Sequence, residues 1–331
     1  MKILIIQTAF IGDAILATSV LEKLHLFYPQ GKIDFLVRKG NEGLFAEHPF
    51  LRRVLVWDKQ GAKYANWWRL LRGVRAERYD VVVSLQRFAS MGLFTALSKA
   101  GKTIGFENAP FSSLFSERHT HQIGNGTHEI ERNHLLITSL TDSKPAKPRL
   151  YPTLSDEESV KSLKTSPYIC IAPASVWHTK QFPQHKWIDL ISHLPKEFKV
   201  YLLGSKGDSE LCGSILAAVQ KNSSIRIESL CSKLGLLAST ALMRDAAMNY
   251  VNDSAPMHLA SAVNAPTCAV FCSTVPAFGF TPLSEKSSVV QIAEALACRP
   301  CGLHGHKACP KGHFRCAEGI STGQLLAVIG Q

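Results

Sequence analysis

The sequence has no apolar run near the ~18–20 uncharged residues that span a membrane. Its most apolar stretch, from Ala260 to Phe280, is broken by Asn264, Pro266, Ser273 and Pro276. The first residues lack the basic start and small-residue cleavage site of a signal peptide, and they run straight into a strand pattern; the expectation is a cytosolic protein. No G-x-G-x-x-G follows that first strand, which counts against a dinucleotide dehydrogenase. No G-x-S-x-G elbow is present, so a serine hydrolase of that type is excluded. Gly101-Lys102-Thr103 ends like a P-loop, but Ala96 stands where its first glycine belongs, and a strand follows in place of a helix. There is no Asp-x-Asp pair to hold a metal-bound diphosphate. A nucleotide site here is therefore expected to use a helix dipole and a Lys instead of Mg²⁺.

What is present is ordinary globular material in generous supply. Hydrophobic residues make up 46% and charged residues 19% of 331, a length that suits two domains. The net charge of +11 is uneven: residues 1–150 carry 21 Lys and Arg against 13 Asp and Glu, and residues 151–331 carry 16 against 13. The basic first half fits an anionic partner, whether nucleic acid, anionic lipid or a phosphorylated glycan, or else a solubilising excess. Nine cysteines divide into five scattered through apolar segments and four clustered at Cys298, Cys301, Cys309 and Cys316. In a cytosolic chain that cluster suggests thiols or a metal site before disulfides. Its spacing is not a repeated C-x₂-C, so zinc ligation and purely structural thiols both stand.

Strand-like and helix-like segments alternate along both halves. Ile3–Gln7, Lys32–Val37, Arg53–Trp57, Asp80–Leu85 and Lys102–Gly105 read as strands, the fourth a Val run expected of a strand buried on both faces. Ala14–Phe27, Tyr64–Ala76, Phe88–Ser98 and Glu129–Leu140 read as helices, with Glu107–Gly126 a loop. Asp142–Pro152 carries three prolines and reads as a linker. The pattern then restarts, with strands Pro167–Ile171, Lys199–Leu203, Ile225–Ile227, Met248–Val251 and Thr267–Phe271 alternating with helices. Such alternation predicts two parallel α/β domains facing a cleft, residues 1–152 and 153–331.

Four stretches lie where ligands bind in such sheets, at the carboxyl ends of strands. Gly12-Asp13 follows the first strand, and Asp13 is either a helix cap or a catalytic base. Ser175 and Lys180 lie in the loop after the strand ending at Ile171. Lys180 is either a solvated surface Lys or a counter-charge to phosphate. Gly204-Ser205-Lys206-Gly207-Asp208 places an acid that either binds ribose hydroxyls or caps a helix. Asn252-Asp253-Ser254-Ala255-Pro256-Met257-His258 joins a strand to a helix with Ser254 as N-cap, which leaves a helix start suited to a diphosphate. Elsewhere, Trp67-Trp68-Arg69-Leu70-Leu71-Arg72 reads as core plus a solvated face, or as a membrane-surface contact.

Together these motifs resemble glycosyltransferase family 9, the ADP-heptose:lipopolysaccharide heptosyltransferases. The matching residues run through the whole chain: Lys2-Ile-Leu-Ile-Ile-Gln with Ile11-Gly12-Asp13, His48-Pro49, Ile104-Gly105-Phe106, His128-Glu129 with Arg132-Asn133, Lys180-x-Phe182-Pro183, Asn252-Asp253-Ser254-x₃-His258, and the Cys298-x-Pro300-Cys301 tail. The resemblance implies a GT-B architecture of two Rossmann-like domains. The first takes the acceptor and the second the nucleotide sugar, and a final helix at 321–330 packs back on the first domain. It implies inverting transfer from ADP-heptose to a lipid-anchored, phosphorylated inner-core oligosaccharide. Asp13 is then the base and Lys180 neutralises the leaving diphosphate. Gly12, Ser175, Asp208, Asp253, Ser254, Ala255 and His258 are donor contacts, and Arg87 an acceptor contact. The family more often has Thr-Gly where this chain has Ser254-Ala255. A helix start would hold Asp13 ionised at neutral pH, as a weak base until the acceptor hydroxyl is aligned. No cofactor is expected, and neither Mg²⁺ nor Zn²⁺ is expected to be essential. The implied setting is the cytoplasmic face of the inner membrane, peripherally bound, with no nucleic-acid partner. A GT-B transferase or epimerase working on another nucleotide sugar is the alternative.

Overall fold

The structure, a computed structural model, describes residues 1–329 of the 331. Its contacts divide the chain into two units, Met1–Tyr151 and Pro152–Gln331. The first contains β1 (Lys2–Gln7), α1 (Ile11–Phe27), β2 (Lys32–Arg38), β3 (Leu51–Trp57), α2 (Lys63–Glu77), β4 (Val81–Ser84), α3 (Ala89–Ala96), β5 (Lys102–Phe106), β6 (Glu117–His119) and α4 (Glu129–Leu135). All strands are parallel, in the order β3-β2-β1-β4-β5-β6. The second unit contains α5 (Leu154–Lys161), β7 (Tyr168–Ala172), α6 (Gln184–Ser192), β8 (Lys199–Leu202), α7 (Ser209–Asn222), β9 (Arg226–Ser229), α8 (Leu236–Arg244), β10 (Met248–Asn252), α9 (Ala255–Ala262), β11 (Thr267–Phe271), β12 (Ser287–Gln291), α10 (Arg315–Glu318) and α11 (Thr322–Leu326). Its order, β12-β11-β10-β7-β8-β9, repeats that of the first unit. Each sheet therefore reverses direction beside its first strand, between β1 and β4 and between β7 and β10. The loops leaving those strands lie where doubly wound sheets commonly bind their ligands.

The strands form where β-branched and aliphatic runs can be buried on both faces. In the first sheet Leu4, Ile6, Leu36 and Val82 meet Trp57, Trp67, Leu71, Val74, Met91 and Phe94 on the side covered by α2 and α3. The alternate residues Ile3, Ile5, Phe35 and Val83 point the other way and are equally buried. Each fully buried aliphatic side chain contributes about 1.5–3 kcal/mol of transfer free energy. In the second sheet Ile169, Ile171, Val200, Leu202, Tyr250 and Val270 pack against Trp187 and Ile191 of α6 and Ile215 and Val219 of α7.

Several expectations are corrected. β6 lies inside the segment expected to be a loop, and β12 and α5 were not expected at all. Helix α1 starts at Ile11 and so takes in Gly12 and Asp13, which were placed in the preceding loop. The proline-rich stretch is not a loose linker. Lys23 Nζ meets Asp142 at 2.6 Å, the Arg149 N–H donates to Thr18 Oγ1 at 2.8 Å, and the Tyr151 hydroxyl donates to Glu22 at 2.9 Å, so the stretch runs along α1. The final helical segment is anchored in the core of the second unit. Leu325 and Val328 join its hydrophobic cluster, and the Tyr250 hydroxyl donates to the Leu325 carbonyl at 2.9 Å. Gly330, the last residue of that expected helix, lies outside the described residues.

Candidate active site

In the first unit, β1 and β4 deliver their loops to the sheet reversal. Gln7 and Gln86, one after the other side of the gap, are bonded to each other, and the Ala9 N–H donates to Gln7 Oε1 at 3.2 Å. This fixes the loop that leads into α1. The N-cap of α1 is Phe10, so Asp13 is the third helical residue and not the cap. It is half-buried. Burial pushes its carboxyl up from 3.8 to about 6, and the nearby Glu129 carboxylate adds to the rise. The backbone N–H groups of Phe10 and of Asp13 itself, and Arg87, oppose it. Desolvation and a like charge thus outweigh the lowering expected from the helix start.

Glu129 opens α4 and is almost fully buried. Its Oε2 accepts from Arg132 Nε at 2.7 Å and lies 3.4 Å from His121 Nε2. These two contacts overcome the effect of burial and hold Glu129 below the ordinary carboxylate range. Arg87 is exposed, three residues beyond the end of β4. Sequence reasoning passed over Lys59, whose Nζ donates to the Thr8 carbonyl at 2.7 Å, and Arg38, which lies over the Phe10 ring. With Arg87 they put three cationic side chains at or just beyond the carboxyl ends of strands in this sheet. The excess of Arg and Lys in the first half was the available signal.

In the second unit, Asn252 ends β10 and is fully buried. Its Nδ2 donates to the Pro173 and Ala174 carbonyls at 2.8 and 3.3 Å, and its Oδ1 accepts from the Phe182 N–H at 2.9 Å. One side chain thus staples the loop after β7 across the sheet reversal. That loop carries Ser175, half-buried with its N–H directed at Gln181, and Lys180. Lys180 Nζ meets Asp253 Oδ2 at 2.7 Å, and the pair is largely buried. Lys180 is therefore not the solvated surface residue of the bland reading. The same oxygen accepts from Thr274 Oγ1 at 2.6 Å.

Ser254 stands at the N-cap of α9, with Pro256 in the first turn. Its hydroxyl makes no capping bond and turns to the Asn252 carbonyl at 3.4 Å. The helix start beside Lys180 is thus left without its side-chain cap, and Ala255 is half-buried there. His258, one turn on, is buried. Asp208 closes a capping box: its Oδ2 accepts from the Ser205 N–H and hydroxyl, both at 2.7 Å. The carboxylate is engaged locally as the partner of Ser205, which is itself the cap of that turn; at the start of α7 Asp208 makes no side-chain capping bond.

The Cys-rich tail has no grouping able to hold a metal: among the described residues, no three His, Cys, Asp or Glu side chains are so arranged. Cys298, Cys301 and Cys309 are half-buried and Cys316 is buried, all as free thiols. Cys298 Sγ lies 3.9 Å from His313 Nε2. Trp67 is core, as the plainer reading had it, whereas Trp68 is 47% exposed and Tyr64 75%.

A profile of Glycosyltransferase family 9 (heptosyltransferase) matches residues 67–309. The chain is 24% identical over 315 residues to lipopolysaccharide heptosyltransferase 1 of Pseudomonas aeruginosa, covering 91% of this chain and 86% of that protein. It is 26% identical over 308 residues to lipopolysaccharide heptosyltransferase 2 of Salmonella typhimurium, covering 88% of each. Among solved structures it superposes on E. coli ADP-heptose LPS heptosyltransferase II with a TM-score of 0.81 at 21% identity, over 99% of this chain and 97% of that one. A family 9 glycosyl transferase from Veillonella parvula gives 0.84 at 18% identity, over 99% and 95%. These two likenesses carry the GT-B fold. The family match spans well over half of the chain, and the chain belongs to glycosyltransferase family 9, the heptosyltransferases.

Proposed function

We propose that this enzyme transfers a heptose from ADP-heptose to the inner core of lipopolysaccharide, with inversion at the anomeric carbon. The observation that carries the reading is the largely buried Lys180 ammonium, 2.7 Å from Asp253 and beside a helix start that lacks its side-chain cap, at the sheet reversal of the second unit. A diphosphate is the ligand that such a cation and helix start complement. The names of the relatives support the sugar and the acceptor.

In the step proposed, Asp13 accepts the proton of an acceptor hydroxyl. The oxygen attacks the anomeric carbon, and the bond from that carbon to the diphosphate oxygen breaks. ADP leaves with the bonding pair, and Lys180 and the N–H groups at the start of α9 meet the growing charge. A carboxyl lifted to about 6 is a stronger base than an ordinary Asp and is still largely ionised at pH 7. Arg38, Lys59 and Arg87 serve the phosphorylated acceptor, Ser175 and Ser254 the donor diphosphate. No metal takes part in this step, so enzyme treated with EDTA is expected to retain its rate. The protein works peripherally at an anionic membrane surface.

The test is incubation with ADP-heptose and a truncated inner-core acceptor, with mass spectrometry of the product. Acceptor mass raised by one heptose is the expected result. Free sugar or an epimer without transfer overturns the reading, and transfer from a different nucleotide sugar overturns the donor assignment. Asp13→Asn is expected to abolish transfer while binding of ADP persists.

A further inference from the structure

The proposed mechanism leaves the Cys-rich tail without a role, yet that tail grips the loop carrying Lys180. Thr179, beside it, is buried, and its hydroxyl oxygen accepts from the His306 N–H at 2.7 Å and from Ser273 Oγ at 3.1 Å. The Thr179 N–H donates back to the His306 carbonyl at 3.1 Å. Gly305 makes the approach possible. Its φ of +76° suits glycine, and a Cβ there would lie 2.7 Å from Thr179 Oγ1, 3.1 Å from Ser273 Oγ and 3.2 Å from Lys180 Cγ. The grip continues on both sides. The Cys301 N–H donates to the Ser273 carbonyl at 2.9 Å, and Arg299 Nη2 donates to the Thr274 carbonyl at 2.6 Å. Thr274 is the residue whose hydroxyl holds Asp253, the partner of Lys180. The His178 ring stacks on Phe314 with centroids 5.5 Å apart.

We propose that Thr179 is a positioning residue and that the segment from Arg299 to His306 is a strap that sets the placement of Lys180. The proposal rests on the reading of Lys180 as the residue that meets the leaving diphosphate. Apart from the pair of Lys180 with Asp253, the loop between β7 and α6 is otherwise fastened at its ends, by Asn252 to Pro173, Ala174 and Phe182. The strap fastens its middle, one residue from the ammonium-bearing side chain. A two-point backbone clasp with a buried hydroxyl at its centre loses both side-chain bonds when the hydroxyl is removed, and the shape of the side chain is kept by Val. A displacement of about 1 Å at a group that stabilises the transition state costs up to ~100-fold in rate.

Thr179→Val and Thr179→Ser decide the matter, measured as steady-state transfer and as alkylation of Cys298, Cys301 and Cys309 by iodoacetamide, mapped by peptide mass spectrometry. Thr179→Val is expected to lower kcat at least about tenfold with a much smaller change in donor KM. It should also speed alkylation of the three tail thiols. Thr179→Ser keeps the acceptor oxygen and should restore both readouts. Gly305→Ala should reproduce the kcat loss by pushing on Thr179 and Lys180. If Thr179→Val leaves the alkylation rates unchanged, the strap is not held by this residue and the proposal fails. Faster alkylation with unchanged kcat, in a protein where Lys180→Ala is inactive, means the strap exists but does not position Lys180; that overturns the proposal and leaves the proposed function standing. A fully active Lys180→Ala overturns the reading of Lys180 and the proposal with it.

Discussion

Asp13 shows how a single residue changes meaning with its surroundings. A carboxylate in the first turn of a helix would ordinarily be held low by the helix dipole. Here burial and Glu129 win, and the group titrates near 6. As a base it must be ionised, so kcat is expected to rise through an acid limb near pH 6 and to level off above it, in a pH–rate profile under saturating substrates. Glu129→Gln removes the like charge, and the limb should move to lower pH; a limb that stays in place would show that Glu129 does not act on Asp13. The raised value also has a stability cost. The folded state binds a proton that the unfolded chain, with its value near 3.8, has already released, so ionising Asp13 opposes folding. The penalty is fully present above about pH 6 and vanishes as the pH falls below about 4. Asp13→Asn should therefore raise stability at pH 7–8 by something on the order of 2 kcal/mol after solvent screening, with no gain near pH 4, as read by urea unfolding.

At the scale of elements, two buried polar features hold the first unit together. Asp34, on β2, is fully buried and receives Arg52 at 2.9 and 2.6 Å, Arg53 at 3.2 and 2.9 Å, and the Tyr79 hydroxyl. These donors keep its carboxyl below the ordinary range despite burial. Removing one partner of a buried ion pair costs about 3–5 kcal/mol, because the others are left uncompensated. Asp34→Ala is expected near the lower end, since Glu77 also pairs with both arginines. Its unfolding midpoint in urea should fall accordingly. His48 sits among Phe45, Phe50 and Tyr151, and burial, with His25 nearby, pushes it down from 6.5 to about 4. The unfolded chain takes up that proton below pH 6.5 and the folded chain does not until about pH 4. Stability is thus complete above 6.5 and erodes across that window, by roughly 2–3 kcal/mol. His48→Phe keeps the ring packing and should flatten the loss.

Most of these elements were legible as patterns, and the missed ones explain themselves. β6 reads Glu-Arg-His and β12 begins Ser-Ser, edge strands with one neighbour each and no apolar run to announce them. α5 has only Val160 buried, so it carries almost no apolar stripe. The early start of α1 was hidden because Gly12 and Asp13 read as loop residues, whereas the Ala14 N–H donates to the Phe10 carbonyl at 3.1 Å and makes Phe10 the cap.

For the whole molecule, the charge of +11 concentrates its excess in the first half. Helix α2 turns Trp67, Leu71 and Val74 inward and leaves Tyr64, Trp68, Arg69 and Arg72 exposed, with no acidic residue before Glu77. Among the described residues no helix is long and apolar enough to cross a membrane. A basic and aromatic helix face suits the surface of an anionic bilayer, the setting proposed for the acceptor. The protein is expected to co-sediment with phosphatidylglycerol-containing vesicles and not with pure phosphatidylcholine ones, and to be released by salt. Tyr64→Ala with Trp68→Ala should weaken that binding several-fold. Equal affinity for both vesicle types would refute the electrostatic part of this view.

The sequence alone determined the parallel α/β class, the division into two halves and the strand-end motifs at Gly12-Asp13, Lys180 and Asn252–His258. Hydrophobic period and turn chemistry are local properties, and they suffice for these. Only the tertiary structure decided what each polar residue does. Lys180 meets Asp253 across 73 positions, Thr179 meets His306 across 127, and Glu129 reaches Asp13 from a helix more than a hundred residues away. Burial and charge at a site are set by whatever the fold brings there. That is why Asp208 became the local partner of a cap and Asp13 a raised carboxyl, although both were read as acids at helix starts.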